Sequence, residues 1–232
     1  MPSTSKNKLV LTGGHAATTA VAVVEEIRKR NYGWRLYWIG SKNAIEGKKI
    51  VTLESEVLPR LGVKFLALTT GRLQRRFTFY TIPSFLKIPV GFVQSFYYLL
   101  NIKPKAVLSF GGFASFPVVI SAKILGIPVI IHEQTSAAGR ANLAAKRFAT
   151  KIALAREESK KYFKGSECVI TGNPVMKEVR DVKTRIESKD VPVIYITGGS
   201  RGSQSINDAV EQILRALLSK YKVIHRREVL II

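Results

Sequence analysis

Short aliphatic and β-branched runs alternate with longer stretches of helical periodicity along most of the 232 residues. The runs Lys8–Leu11, Arg35–Ile39, Val63–Leu66, Ala106–Ser109, Pro128–Ile131, Lys151–Leu154 and Cys168–Ile170 predict strands. Most are continuously apolar, as strands covered on both faces of a parallel sheet are. Between them, Ala17–Arg30 sets Val21, Val24 and Ile27 on one helical face, and Ala114–Leu125 and Ala137–Phe148 follow two of the later strands. This alternation predicts an α/β fold, a doubly wound parallel sheet with right-handed crossovers.

From Asp181 to Pro192 the pattern breaks. The stretch is charged and holds only Val182 and Ile186 as large apolar residues, which predicts a linker. Pro192–Thr197 then opens a new strand, followed by Gly198-Gly199-Ser200-Arg201-Gly202, a helix over Ser205–Lys220 and a strand over Tyr221–His225. The expected organisation is one domain over residues 1–183 and a partial second domain over 191–232. A single β-α-β unit cannot bury a core of its own, so either it docks on the first domain or the chain is incomplete.

Apolar residues make up 46% and charged residues 23%, the balance of a folded globular chain. The lone Cys168 excludes a disulfide framework and a four-cysteine metal site, and is expected as a small core residue. His15, His132 and His225 show no ligand spacing, and there is no Asp-x-Asp, so no metal is expected. The longest charge-free run, Ala106 to Ala122, holds Gly111, Gly112 and Pro117 and fits a strand, turn and helix better than a membrane span. The polar start, Met1 to Lys6, predicts no signal peptide and a cytosolic chain.

Charge narrows the partners. The net charge is +21, and no acidic residue occurs between Glu56 and Glu133. An anionic partner follows: a phosphorylated substrate, an acidic membrane surface or a nucleic acid. Arg72, Arg75 and Arg76 run into Phe77, Phe79 and Phe85, the mixture of an interfacial membrane patch. Val93–Leu100 is expected as a helix with its aromatics toward the core. No RNA-binding signature accompanies the charge, so nucleic acid ranks last.

Three Gly-Gly pairs share one topological place, after a strand and before a helix: Thr12-Gly13-Gly14-His15, Phe110-Gly111-Gly112-Phe113 and Thr197-Gly198-Gly199-Ser200. That place is the carboxyl edge of a parallel sheet, where ligands bind. Glycine permits close backbone approach, and the helix start supplies amide donors suited to phosphate oxygens. Neither a P-loop nor a dinucleotide fingerprint is present. His15, at a helix entrance, has the chemistry of a general base. Glu133 is the only acid from Val57 to Arg156; it could bind sugar hydroxyls, orient His15, act as the base or complete a helix cap.

With these residues in hand, the chain resembles the bacterial peptidoglycan glycosyltransferases that add N-acetylglucosamine to lipid I, family 28 enzymes of the two-domain GT-B fold. The matching motifs are Leu-Thr-Gly-Gly-His (11–15), Ser-Phe-Gly-Gly-Phe-Ala-Ser (109–115), Ile-Pro-Val-Ile-Ile-His-Glu-Gln (127–134), Ala-Gly-Arg-Ala-Asn-Leu (138–143), Thr-Gly-Asn-Pro-Val (171–175) and Thr-Gly-Gly-Ser-Arg-Gly (197–202). The resemblance implies a Rossmann-like acceptor domain plus the first β-α-β unit of a nucleotide-sugar domain. It implies inverting, metal-independent transfer from UDP-N-acetylglucosamine to lipid I, at the cytoplasmic face of the membrane. No cofactor beyond the donor substrate is implied.

His15 and Glu133 would be catalytic. Thr12, Gly13, Gly14, Gly111, Gly112, Gln134, Thr135, Asn142, Met176, Gly199 and Ser200 would bind substrate. Thr135 stands where the family has Asn, Met176 where it has Arg and Arg201 where it has Gln. The other reading is a non-catalytic module that holds lipid-linked diphosphates at the membrane.

Overall fold

The computed structural model describes residues 7–14, 16–43, 51–69, 81–182, 191–199 and 202–227. The chain divides into two compact units, Met1–Val182 and Lys183–Ile232.

The first unit is a parallel seven-stranded sheet. Its strands are β1 (Lys8–Thr12), β2 (Arg35–Gly40), β3 (Lys64–Ala67), β4 (Ala106–Ser109), β5 (Val129–Glu133), β6 (Lys151–Leu154) and β7 (Cys168–Ile170). The order is β3-β2-β1-β4-β5-β6-β7, so the chain winds one way from β1 and the other way from β4. The predicted strands are present with ends shifted by one or two residues. The helices are α1 (Ala17–Lys29), α2 (Leu53–Arg60), α3 (Thr81–Ile102), α4 (Phe116–Ile124), α5 (Arg140–Ala145) and α6 (Lys177–Arg180).

Local chemistry explains the helix ends. Thr52 caps α2 by accepting the Ser55 amide, and Glu54 and Glu56 lie in the first turn, where the helix dipole favours acid. α1 ends in Arg28 and Lys29, the matching charge for its carboxyl end. Two expected helices are shorter than their periodicity suggests. The 114–125 segment opens as a 3₁₀ turn, Phe113–Ser115, and α4 starts only at Phe116, with Pro117 in its first turn. Proline lacks the amide a longer helix would need there. The 137–148 segment is held extended at Gly139, and its last turn, Lys146–Phe148, tightens to 3₁₀.

Two apolar layers cover the sheet. Val10, Ile39, Leu99, Val107, Val118, Val129 and Ile131 form one, beneath α3 and α4. Leu11, Val21, Val24, Leu36, Trp38, Leu58 and Phe110 form the other, beneath α1 and α2. Phe92, Phe96 and Leu99 lie inward or half-buried on α3, but Val93 is 70% exposed and Tyr97 63%. The expectation that the 93–100 helix buries its aromatics therefore holds for one face only. A 22-residue helix beside a sheet has room to bury a single stripe. Cys168 is half-buried against the Ile152, Leu154 and Phe163 cluster, and burial pushes its thiol up.

The second unit holds β8 (Val193–Thr197), α7 (Gln204–Leu218) and β9 (Lys222–Arg226), with β8 and β9 parallel. Ser203 caps α7 by accepting the Ile206 amide. Among the described residues, no helix is long and apolar enough to cross a membrane.

Trp38 is the largest fully buried side chain, 1% exposed and stacked on Phe110 with ring centroids 6.2 Å apart. Trp38→Ala should lower unfolding stability by about 3–5 kcal/mol through lost transfer energy and an unfilled cavity. Urea unfolding followed by circular dichroism checks this.

Candidate functional site

β1 and β4 are neighbours whose following helices turn to opposite sides, which makes the crevice between them the switch point of the sheet. Both unit-one glycine turns open from it. Strand pairing continues past the strand ends: the Phe110 amide donates to the Thr12 carbonyl at 2.8 Å and the Gly14 amide to the Gly111 carbonyl at 3.0 Å. The turns meet backbone to backbone. Gly112 has φ +86, and a Cβ there would stand 2.8 Å from the Gly14 nitrogen. Gly111 has φ +79, and a Cβ would lie 2.5 Å from Asn142 Oδ1. A side chain at Gly13 would press on Phe110 and Trp38, both at 3.2 Å. Gly14 alone has room above it, its nearest neighbour being the Gly112 Cα at 3.8 Å.

The side chains around the crevice are mostly engaged. Thr12 is fully buried and its hydroxyl donates to the Ile39 carbonyl at 2.7 Å. The side chain braces β1 against β2, and the Thr12 main chain remains at the crevice with Gly13 and Gly14. The amide that opens α1, Ala16 N–H, donates at 2.8 Å to Oε1 of Glu54, a buried acid on α2. Thr19 donates to Gln134 Oε1 at 3.2 Å, tying α1 to the turn after β5.

Glu133 organises that turn. Its Oε1 accepts the Thr135 amide at 3.0 Å and the Thr135 hydroxyl at 2.8 Å; its Oε2 accepts the Gly139 amide at 2.8 Å and the Asn142 Nδ2 at 2.9 Å. Burial pushes its carboxyl up, but the hydrogen bonds from Asn142, Gly139 and Thr135 outweigh this and hold it below its ordinary 4.5. A buried carboxylate with four donors and a depressed pKa is a poor base. The geometry gives Glu133 the role of internal anchor, close to the cap among its readings.

Asn142 also donates from Nδ2 to the His132 carbonyl at 3.3 Å, while its Oδ1 is buried beside Gly111 without a partner. Thr135 is exposed, with its hydroxyl hydrogen committed to Glu133. Met176 packs half-buried on the layer beneath α1, which accounts for its apolar side chain without a ligand. Gly199 lies in the second unit after β8, at φ +81, with its amide on Thr197 Oγ1. His15, Ser200, Arg72, Arg75, Arg76 and Phe77, Phe79 lie outside the described residues, as does the Phe85 side chain.

Two residues that sequence reasoning assigned no role stand out. Glu54 reads as an ordinary first-turn acid, and only its burial betrays it. His132 sits in the 127–134 motif, but its partner is the Gly172 carbonyl, 3.1 Å from Nε2. A groove of about 860 Å³ runs along the second half of α1, walled by Val23, Ile27, Tyr32, Pro174 and Val175, away from the glycine turns.

Burial pushes the His132 pKa below 6.5, against the Gly172 bond and the Glu133 charge. Both depressed groups bind protons more weakly folded than unfolded. Their stabilisation is complete above 6.5 for His132 and above 4.5 for Glu133, and is lost as pH falls toward each folded value. Glu133→Gln should cost about 2–4 kcal/mol near neutral pH and progressively less below 4.5, where wild type also loses the charge. Urea midpoints of both proteins across that range measure the convergence.

Residues 12–154 match the glycosyltransferase family 28 N-terminal domain. The chain is 34% identical over 227 residues to the UDP-N-acetylglucosamine–N-acetylmuramyl-(pentapeptide) pyrophosphoryl-undecaprenol N-acetylglucosamine transferase of Clostridium kluyveri, covering 94% of this chain and 62% of that one. It is 38% identical over 205 residues to the protein of the same name from Caldicellulosiruptor saccharolyticus, covering 86% and 53%. The chain thus spans about three fifths of the length of the curated relatives it matches. The fold is similar to that of Acinetobacter baumannii MurG, with TM-score 0.63 and 21% identity over 95% of this chain and 58% of that one. It is also similar to a UDP-N-acetylglucosamine 2-epimerase from Rickettsia bellii, with TM-score 0.56 and 16% identity over 95% and 62%. On the match over residues 12–154, the chain belongs to glycosyltransferase family 28.

Proposed function

We propose that this chain takes part in transferring N-acetylglucosamine from UDP-N-acetylglucosamine to lipid I, giving lipid II for peptidoglycan. The observation that carries the reading is the switch-point crevice, where two glycine turns meet with no side chain between them. A side-chain-free edge of this kind suits a diphosphate, because main chain can approach its oxygens closely even though the Gly14 and Ala16 amides are engaged within the protein. The relatives named for this reaction match 94% of the chain.

In this reading the first two turns cradle the acceptor diphosphate, and Gly199 and Ser200 meet the donor diphosphate. The sugar 4-hydroxyl oxygen attacks the anomeric carbon of the donor. The bond from that carbon to the β-phosphate oxygen breaks, and UDP leaves with the electron pair. His15 accepts the hydroxyl proton, and because this is a single displacement from the face opposite the leaving diphosphate, the product is inverted at the anomeric carbon. Stabilisation of the leaving diphosphate rests on amides and cationic side chains, without a metal.

The acid-free stretch from Val57 to His132 and the outward Val93, Tyr97 and Leu100 of α3 support a peripheral site at the cytoplasmic face of the membrane, on anionic lipid.

The test is transfer of labelled N-acetylglucosamine to a lipid I analogue. Product should form, continue in the presence of a chelator, and fall about 10²–10⁴-fold in His15→Ala. Absence of product, while a full-length relative makes it under the same conditions, would overturn catalysis by this chain and leave acceptor binding. Separately, vesicles containing phosphatidylglycerol should sediment the protein, neutral vesicles should not, and high salt should release it. Equal binding to neutral vesicles would sink the electrostatic membrane reading.

A further inference from the structure

We infer that His132 is a positioning residue: its Nε2–H bond to the Gly172 carbonyl, with the Asn173–Gln134 bond beside it, clamps the segment by which the chain leaves the first unit. This inference stands apart from the transferase reading and rests on the first unit alone.

The segment from Thr171 to Val182 has little else to hold it. It follows β7, a three-residue strand at the sheet edge. Val175, Val179 and Val182 are all exposed, so apolar burial contributes little beyond Met176. α6 has four residues, too few to be stable by itself. Hydrogen bonds must therefore carry an unusual share of its order. One comes from β6, where the Leu154 carbonyl accepts the Thr171 amide at 2.9 Å. Lys177 N–H reaches Glu25 Oε2 on α1 at 3.3 Å.

The other two come from the end of β5 and the turn after it, two strands inward. His132 meets the Gly172 carbonyl at 3.1 Å, and Asn173 Nδ2 donates to the Gln134 carbonyl at 3.3 Å. They straddle Glu133, the anchor of the same turn.

The choice of side chain points the same way. A carbonyl only accepts, so Nε2 carries the proton and Nδ1 is a bare acceptor. That Nδ1 is buried without a partner, which is a cost. The ring is 4% exposed and lies edge-on to Phe110 at 6.1 Å. A position that needed bulk alone would be filled more favourably by an apolar ring. What histidine adds here is the donor to Gly172.

The clamp also reaches the crevice. Asn142 binds the His132 carbonyl and abuts Gly111, so the exit segment and the glycine turns are joined through one run of contacts.

Hydrogen exchange on the whole chain, read by mass spectrometry, tests the clamp without requiring activity. His132→Phe keeps the ring and removes the donor. The amides of Thr171, Val179, Arg180 and Asp181 should exchange roughly tenfold faster, while β1 and β2 keep wild-type protection. His132→Gln offers an amide donor and should restore most of the protection. Asn173→Ala, at an exposed position, should speed the same amides roughly threefold. Unchanged exchange in His132→Phe, or protection lost equally across the sheet, overturns the inference. Should His132→Phe fail to fold, Asn173→Ala decides: local acceleration supports the clamp, and wild-type exchange rejects it.

Discussion

One backbone hydrogen bond, from the Gly14 amide to the Gly111 carbonyl, sets how closely the two halves of the carboxyl edge approach. Everything near the crevice is adjusted to it. Gly112 can carry no side chain because the Gly14 backbone occupies the space. A side chain at Gly13 would crowd Trp38 and Phe110, which fill the floor below. The floor is rigid because Trp38 is stacked and fully buried. A main-chain edge free of side chains, over an aromatic floor, is the result. Its shape is therefore a property of the sheet's packing and not of any flexible side chain.

Polar residues around this edge serve chiefly to hold it. Thr12 bonds to β2, Gln134 to α1, and Glu133 gathers four donors from its own turn. Since Glu133 is the only acid from Val57 to Arg156 and is buried, that long stretch offers solvent no exposed carboxylate. The same residue that orders the turn leaves the surface around it cationic. Fold and surface charge are linked here by one side chain.

The sheet was legible in the sequence because its strands are covered on both faces, and short continuous apolar runs at regular spacing, such as the one through Val107 and Leu108, are the mark of such strands. The place of the glycine turns followed from the alternation alone. What escaped were properties set by partners distant along the chain. The Thr12 hydroxyl has its acceptor 27 residues away on β2, a partner no local pattern indicates. His132 was visible as a motif residue, yet its partner lies 40 residues on. Val93 and Tyr97 have core-like composition, and periodicity could not say which face of α3 the sheet would take. Glu54 was hidden for the opposite reason, since acids in a first helical turn are common and usually solvated.

Glu54 also makes the two turns electrically unequal. Its carboxylate sits inside the protein against the start of α1 and acts as a built-in counter-ion to that helix's positive pole. α4, which begins past Gly112, has no acidic residue in its first turn. The entrance of α1 thus holds an acidic partner of its own before any ligand arrives, and α4 has no acid in its first turn to match it.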